Sequence, residues 1–207
     1  MKISYAITVK DELVEIQHLI SFLLEKKKQQ DEIIVLFDAK NGSKQVEEYL
    51  CSHSINDDFY WHSEEFDGHF ANWKNILGEA CKGNYIFQID ADELPNAYLI
   101  EYLPTILENN PEVDFYWVSR ENFVEGITQE HINKWHWSIT DKGWINWPDM
   151  QMRIYKKAPG IRWENKVHEK ITSVRNYSLL PMEEEYCILH RKTIIKQESQ
   201  NKFYNSI

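Results

Sequence analysis

Short apolar runs alternate with amphipathic stretches through the first 120 residues of the chain. Ile3 to Val9 is apolar and bounded by charge, the pattern of a buried strand. From Asp11 to Gln30, Leu13, Ile16, Ile20, Leu23 and Leu24 recur on one face of an expected helix. Lys26, Lys27 and Lys28 close it, where cations suit the C-terminal end of the helix dipole. Glu32 to Phe37 predicts a second strand, stopped by the turn signal Asp38-Ala39-Lys40-Asn41-Gly42. A short helix from Ser43 to Ser52, capped by Ser43, and a third strand from Phe59 to His62 follow. Phe70, Trp73, Leu77, Ala80 and Cys81 predict a helix over His69 to Lys82, ended by Gly83-Asn84. Tyr85 to Ile89 predicts a fourth strand that runs straight into Asp90-Ala91-Asp92. Tyr98 to Glu108 is helical in pattern, with Pro104 expected to kink or restart it. Val113 to Ser119 reads as another strand.

This alternation implies an α/β fold, with a mostly parallel sheet flanked by helices on both faces. Ligands of such sheets bind beyond the carboxyl ends of the strands. Three acidic groups fall at those ends: Asp11-Glu12, Asp38 and Asp90-Ala91-Asp92. Their convergence on one rim says more than any one of them. The second half reads differently. Asn122 to Pro148 is polar and aromatic, with His131, Trp135, His136, Trp137, Trp144 and Trp147. Met150 to Tyr155 and Gly160 to Trp163 are expected to be strands of a hairpin turning at Lys156-Lys157-Ala158-Pro159, and Ile194 to Tyr204 a helix.

A length of 207 residues suits one domain with a full core. The formal net charge of -10 argues against a nucleic-acid partner, which needs a basic stripe. A phosphorylated ligand stays open, because a metal, a local cation or oriented N–H groups suffice to hold it. Cys51, Cys81 and Cys187 are odd in number and contain no CxxC pair, so they read as buried or free thiols. The N-terminal apolar run is too short for a signal peptide, and no run is long enough to span a bilayer. A cytoplasmic protein is expected, with peripheral membrane contact still open to it.

On an extended segment residues i and i+2 point the same way, so Asp90 and Asp92 are expected to face one site. Carboxylates are hard ligands suited to Mn2+ or Mg2+, and such ions keep positions open for phosphate oxygens. A divalent ion on a diphosphate neutralises the charge that builds as the diphosphate leaves. The plain alternative is a loop with two solvated aspartates.

The setting of this pair resembles family 2 glycosyltransferases of the GT-A fold. The residues that carry the resemblance are Asn72, Lys74-Asn75, Gly83-Asn84-Tyr85-Ile86 and Asp90-Ala91-Asp92-Glu93-Leu94, with the opening Ile3 to Glu12. Pro148-Asp149-Met150-Gln151-Met152-Arg153-Ile154-Tyr155, Trp163 and Val167-His168-Glu169 are similar to a bacterial subgroup of lipopolysaccharide-core type. The resemblance covers roughly the first 190 residues. It implies one GT-A domain over 1–207, with a nucleotide-sugar half (1–121) and an acceptor half (122–207). It also implies an inverting, metal-dependent transfer from a nucleotide-sugar, a UDP-sugar first, to a glycan or lipid-linked acceptor. Thr8 and Glu12 would line the nucleotide pocket, Asp38 would bond a uracil-type base, and Lys74 would lie near base or phosphates. Asp90 would contact ribose or metal, Asp92 would ligate the metal, and His190 in Leu189-His190-Arg191-Lys192 would complete its ligands. Glu169 is the first candidate for the carboxylate that deprotonates the acceptor, and Asp149 the second. The family's usual Asn-Glu after the first strand is Asp11-Glu12 here, and its usual Glu-Asp base motif is not evident.

Other readings remain at this point. His168-Glu169 also fits a surface pair, and His190 a solvated residue in a basic cluster. Trp135 to Trp147 fit either a core under a long loop or an aromatic flap that stacks on sugar rings. A nucleotidyltransferase would carry a glycine-rich loop after the first strand, and Thr8-Val9-Lys10-Asp11-Glu12 has no glycine. A non-catalytic carbohydrate-binding protein with a structural ion is the remaining rival. No HExxH is present for a zinc hydrolase, and a phosphoaspartate phosphatase would place its Asp-x-Asp after the first strand.

Overall fold

The computed structural model describes residues 1–53 and 58–204. Strand β1 (Ile3–Val9) leads to α1 (Leu13–Lys26), β2 (Glu32–Asp38), α2 (Lys44–Cys51), β3 (Phe59–Glu64), α3 (Phe70–Ala80) and β4 (Tyr85–Asp90). Then come β5 (Glu93–Pro95), α4 (Ala97–Asn109), β6 (Phe115–Glu125), α5 (Gln129–Trp135) and β7 (Asp149–Lys156). Three short strands, β8 (Arg162–Glu164), β9 (Lys170–Thr172) and β10 (Tyr177–Leu179), precede β11 (Ile188–Thr193) and α6 (Ile194–Tyr204).

Among the described residues one sheet runs in the order β3-β2-β1-β4-β7-β6-β11-β5, with β10 also on β6. β1 is parallel to β2 and to β4, and β2 to β3. β7 is antiparallel to both β4 and β6, β11 is parallel to β6, and β5 closes the order antiparallel to β11. The result is the mixed, mostly parallel α/β sheet that the alternation of elements implies. β1, β2 and β4 are buried along nearly their whole length, as expected of strands covered on both faces. Ile3, Tyr5 and Ile7 pack with α1, α2 and α4, while Ala6 on the other face packs with α3, Trp163 and Ile171. Parallel register then fixes the rim: Thr8 lies opposite Leu36 on one side and Asp90 on the other.

Four expectations are corrected. The buried stripe of α1 is Ile16, Leu19, Ile20 and Leu23, spaced i, i+3, i+4, i+7. Leu24 lies a further step round the helix and is 45% exposed. α4 runs through Pro104 without a break. The lost N–H bond is outweighed by burial of Leu99, Ile100, Leu103 and Leu107 on its inner face. β7 and β8 do not form a hairpin. β8 pairs with β9 in a separate ribbon, because Trp163 is buried against α3 and its backbone is gripped by Asn75. Asn75 Nδ2 donates to Trp163 O and Asn75 Oδ1 accepts its N–H, both at 2.9 Å. The strand expected to end at Ser119 continues to Glu125, since β11 supplies a partner for residues 120–125. Cys81 and Cys187 are buried and Cys51 is exposed. No helix among the described residues is long and apolar enough to cross a membrane.

Candidate active site

Three strand ends build one edge of the site. Thr8, near the end of β1, donates from Oγ1 to Asp90 Oδ1 at 3.2 Å. Glu12 sits at the N-terminal flank of α1, and its Oε2 accepts the N–H groups of Lys10 at 3.0 Å and Asp11 at 3.1 Å. Burial pushes the Glu12 carboxyl up, against the pull of the Lys10 N–H and of Lys196. Asp38 ends β2 and is 5% exposed. Its Oδ1 accepts from the N–H groups of Lys40 and Asn41 at 3.0 and 3.1 Å, and its Oδ2 from Asn41 Nδ2 at 2.8 Å. Asp38 therefore shapes the turn 38–42. Gly42 is required there, because a side chain would overlap the Asp38 carbonyl and the Phe37 ring.

β4 ends at Asp90, and Ala91-Asp92 form a turn into β5. The two aspartates are thus not related by strand alternation, and each has its own cation. Asp90 Oδ2 accepts from Arg153 Nη2 at 2.7 Å. Burial opposes its charge, but Arg153 and then Lys74 hold the carboxyl well below the usual carboxylate range. Asp92 Oδ2 lies 3.4 Å from His190 Nε2 and 3.3 Å from Lys196 Nζ. Burial is again opposed, here by His190, Lys196 and Lys192, and Asp92 too is held far below its ordinary value. The same crowding of cations, after burial, pushes Lys192 down to about 8.

A continuous polar network joins the two carboxylates from behind. Arg153 Nη2 also bonds Glu93 Oε1, which accepts in turn from Arg120 Nη1 at 2.9 Å. Arg120 grips Asp149 Oδ2 through Nε at 2.8 Å and Nη2 at 2.7 Å. Asn122 Nδ2 donates to that same Asp149 oxygen, and Asn122 Oδ1 meets His190 Nδ1 at 2.6 Å. Sheet register makes this possible, with Arg120 opposite Asp149 and Asn122 opposite His190. Because the Asn122 amide nitrogen faces a carboxylate, its oxygen must face His190, so Nδ1 carries a proton. Nε2 then turns toward Asp92, where either a proton or a cation must separate it from the carboxylate.

Among the described residues no three His, Cys, Asp or Glu side chains converge as a ready metal cage. Asp90 does not join Asp92 and His190, because Arg153 holds it. Asp92 and His190 alone still fit a divalent ion. One is a carboxylate and the other an imidazole with its far nitrogen bonded and its near nitrogen free to ligate. Ions that bind nucleotide phosphates commonly use only one or two carboxylates from the protein.

The other predicted residues divide between two places. Lys74, buried on α3, bonds Glu169 Oε1 at 2.5 Å and lies 4.4 Å over the Trp163 ring. Asp149 carries Arg120 and Asn122 on Oδ2 and Gln151 on Oδ1, so both its oxygens are engaged. Trp135 and Trp137 have ring centroids 4.7 Å apart, and Trp144 and Trp147 4.6 Å, and all four are half-buried, which argues against a simple core role. Trp144 and Trp147 line an open depression of about 500 Å³ with Met182 and Glu183 to Glu185. None of the strand-end acids lines it, whereas a smaller pocket of about 160 Å³ includes Asp92, Glu15 and Arg191.

Glu93 is named by the sequence without a role, in the block Asp90 to Leu94, and Arg120, Asn122 and Lys196 were not singled out by it. Arg153 was, but without a role. Its signal was a charged residue flanked by the apolar Met152 and Ile154-Tyr155, which demands a buried partner.

The model of glycosyl transferase family 2 matches residues 4–197. No curated protein matches the chain. Among solved structures, Staphylococcus aureus TarS 1–349 superposes with a TM-score of 0.63 at 13% identity, over 92% of this chain and 60% of that one. TarS 1–349 in complex with UDP-GlcNAc gives 0.63 at 14%, over 93% and 59%. The chain thus spans about 60% of the length of these structures, and the likeness is one of GT-A fold. A family match over nearly the whole sequence is decisive: the chain belongs to glycosyl transferase family 2.

Proposed function

We propose that this chain transfers a sugar from a nucleotide-diphosphate donor, a UDP-sugar first, to a hydroxyl of a glycan or lipid-linked acceptor, with inversion. The observation that carries this reading is the Asp92–His190 pair, with its tautomer set by Asn122, beside the Thr8–Asp90 contact at the ends of parallel strands. That the structural neighbour TarS was solved with UDP-GlcNAc supports the donor class. Residues 1–121 hold the donor and 122–207 the acceptor, within one domain. Thr8, Glu12 and Asp38 flank the nucleoside, and Lys74 adds positive charge beside Asp90. The likeness of the block from Pro148 to Tyr155 and of the Val167-His168-Glu169 segment to the lipopolysaccharide-core type supports an acceptor of that class.

Asp92 and His190 would hold Mn2+ or Mg2+, which as a Lewis acid offsets charge on the departing diphosphate. The chain's own part is to align the acceptor oxygen opposite the donor's leaving group. That oxygen bonds to the anomeric carbon as the bond from carbon to phosphate oxygen breaks, its electron pair leaving with the diphosphate, and the acceptor proton passes to a carboxylate. Glu169 is the better base. Its Oε1 meets Lys74 and no second donor among the described residues reaches it, whereas Asp149 is filled by Arg120, Asn122 and Gln151. Glu169→Gln should lower kcat by about 10²–10⁴ with little change in donor KM. Equal loss in Asp149→Asn, with Glu169→Gln active, would transfer the role.

A donor screen by thermal shift tests the binding half of the proposal. At a hundredfold excess over Kd a true donor adds about 2.7 kcal/mol. For a chain of this size that is roughly 5–11 °C in Tm. A panel of nucleotide-sugars with Mn2+ that leaves Tm unmoved would count against it.

A further inference from the structure

α6 begins directly after β11, so His190 and Lys196 reach the rim from adjoining elements. Their nitrogens meet at one atom. Asp92 Oδ2 is 3.4 Å from His190 Nε2 and 3.3 Å from Lys196 Nζ. The ammonium also lies 3.7 Å from Glu12 Oε1 and 3.8 Å from Glu15 Oε1, both at the start of α1. Its side chain is 37% exposed, so charge rather than packing places it.

A divalent ion held by Asp92 and His190 would compete with the ammonium for that same carboxylate. Two cations cannot crowd one half-buried oxygen without strong repulsion, since the local dielectric is well below that of water. Glu12 and Glu15 offer the ammonium a second resting place, close by and already within its reach.

We propose that Lys196 is a tethered cation that occupies the Asp92–His190 site when donor is absent and yields it to the divalent ion, withdrawing to Glu12 and Glu15. The inference rests on the reading of Asp92 and His190 as metal ligands. Its consequence is that the metal alone binds weakly. A nucleoside diphosphate, which brings negative charge for both cations, makes the exchange favourable, so metal and donor enter together.

The test is binding of Mn2+ alone, followed by the loss of the free-ion paramagnetic resonance signal, with no turnover involved. Lys196→Met, checked for folding by its melting curve, should bind Mn2+ at least fivefold more tightly than the unaltered chain. Lys196→Arg, which keeps the charge, should show no such gain. An unchanged or weaker affinity in Lys196→Met, alongside loss of binding in Asp92→Asn, overturns the inference about Lys196 and leaves the metal site standing. Binding in Asp92→Asn equal to that of the unaltered chain removes the metal site itself, and the inference with it.

Discussion

Replacing Arg153 with alanine is expected to remove about 3–5 kcal/mol of folding stability, the usual cost of taking one partner out of a buried ion pair. Arg153 is 3% exposed and Glu93 1%. Asp90 lies nearer solvent and can recover water, so the loss falls on Glu93. Arg120 still reaches Glu93, which keeps the penalty from exceeding this range. A domain of ordinary stability holds only about 5–15 kcal/mol in total. At roughly 2–4 °C per kcal/mol for a chain of this length, Tm should fall by about 6–20 °C. Urea unfolding measures the same quantity. Adding Glu93→Gln to the Arg153→Ala chain should restore part of the loss, because the orphaned charge is gone, and the cycle of four chains gives the coupling directly. A loss under about 1 kcal/mol, or simple additivity, would show that Glu93 is solvated and that the network does not fix the rim.

Asp92→Asn is expected to produce the largest change in activity. If Asp92 is the carboxylate that holds the metal, its loss removes stabilisation of the developing diphosphate charge, an effect of at least about 10²–10³ in kcat. The fold should survive. Asparagine keeps an acceptor oxygen of the same shape, and Lys192 and Lys196 retain Gln200, Glu12 and Glu15 as partners. The stability cost is about 1.5–3 kcal/mol, that of a hydrogen bond to a charged group. Its pH dependence has a definite sign. The Asp92 carboxyl is held below its unfolded value in the native chain. Its contribution is therefore complete above the ordinary carboxylate range of about 3.9 and is lost as pH falls through the folded value. The deficit of the asparagine chain should shrink at low pH.

The strand ends were legible because their signals are local. β1, β2 and β4 are largely apolar runs bounded by turn residues, and Asp38, Asp90 and Asp92 follow from where those runs stop, whereas Thr8 came from the family resemblance. His190 was found through resemblance, since Ile188 to Thr193 is too polar to announce a strand. The missing half of the site depends on partners distant in sequence. Arg120, Asn122, Asp149 and His190 meet only because β7, β6 and β11 lie side by side in a particular register, and no periodicity encodes that pairing. β5, β9 and β10 are three residues each, too short for a period to show. Lys196 was hidden for another reason: α6 is polar all round from Lys196 to Lys202, and nothing in its own sequence says that one lysine turns inward to the rim.

The most direct measurement is release of nucleoside diphosphate from UDP-sugars in the presence of Mn2+, run on the unaltered chain and on Asp92→Asn at matched folded concentration. The unaltered chain should release it, with release stopped by a chelator and reduced at least about a hundredfold in Asp92→Asn. Equal release by the two chains, or release untouched by the chelator, would contradict it.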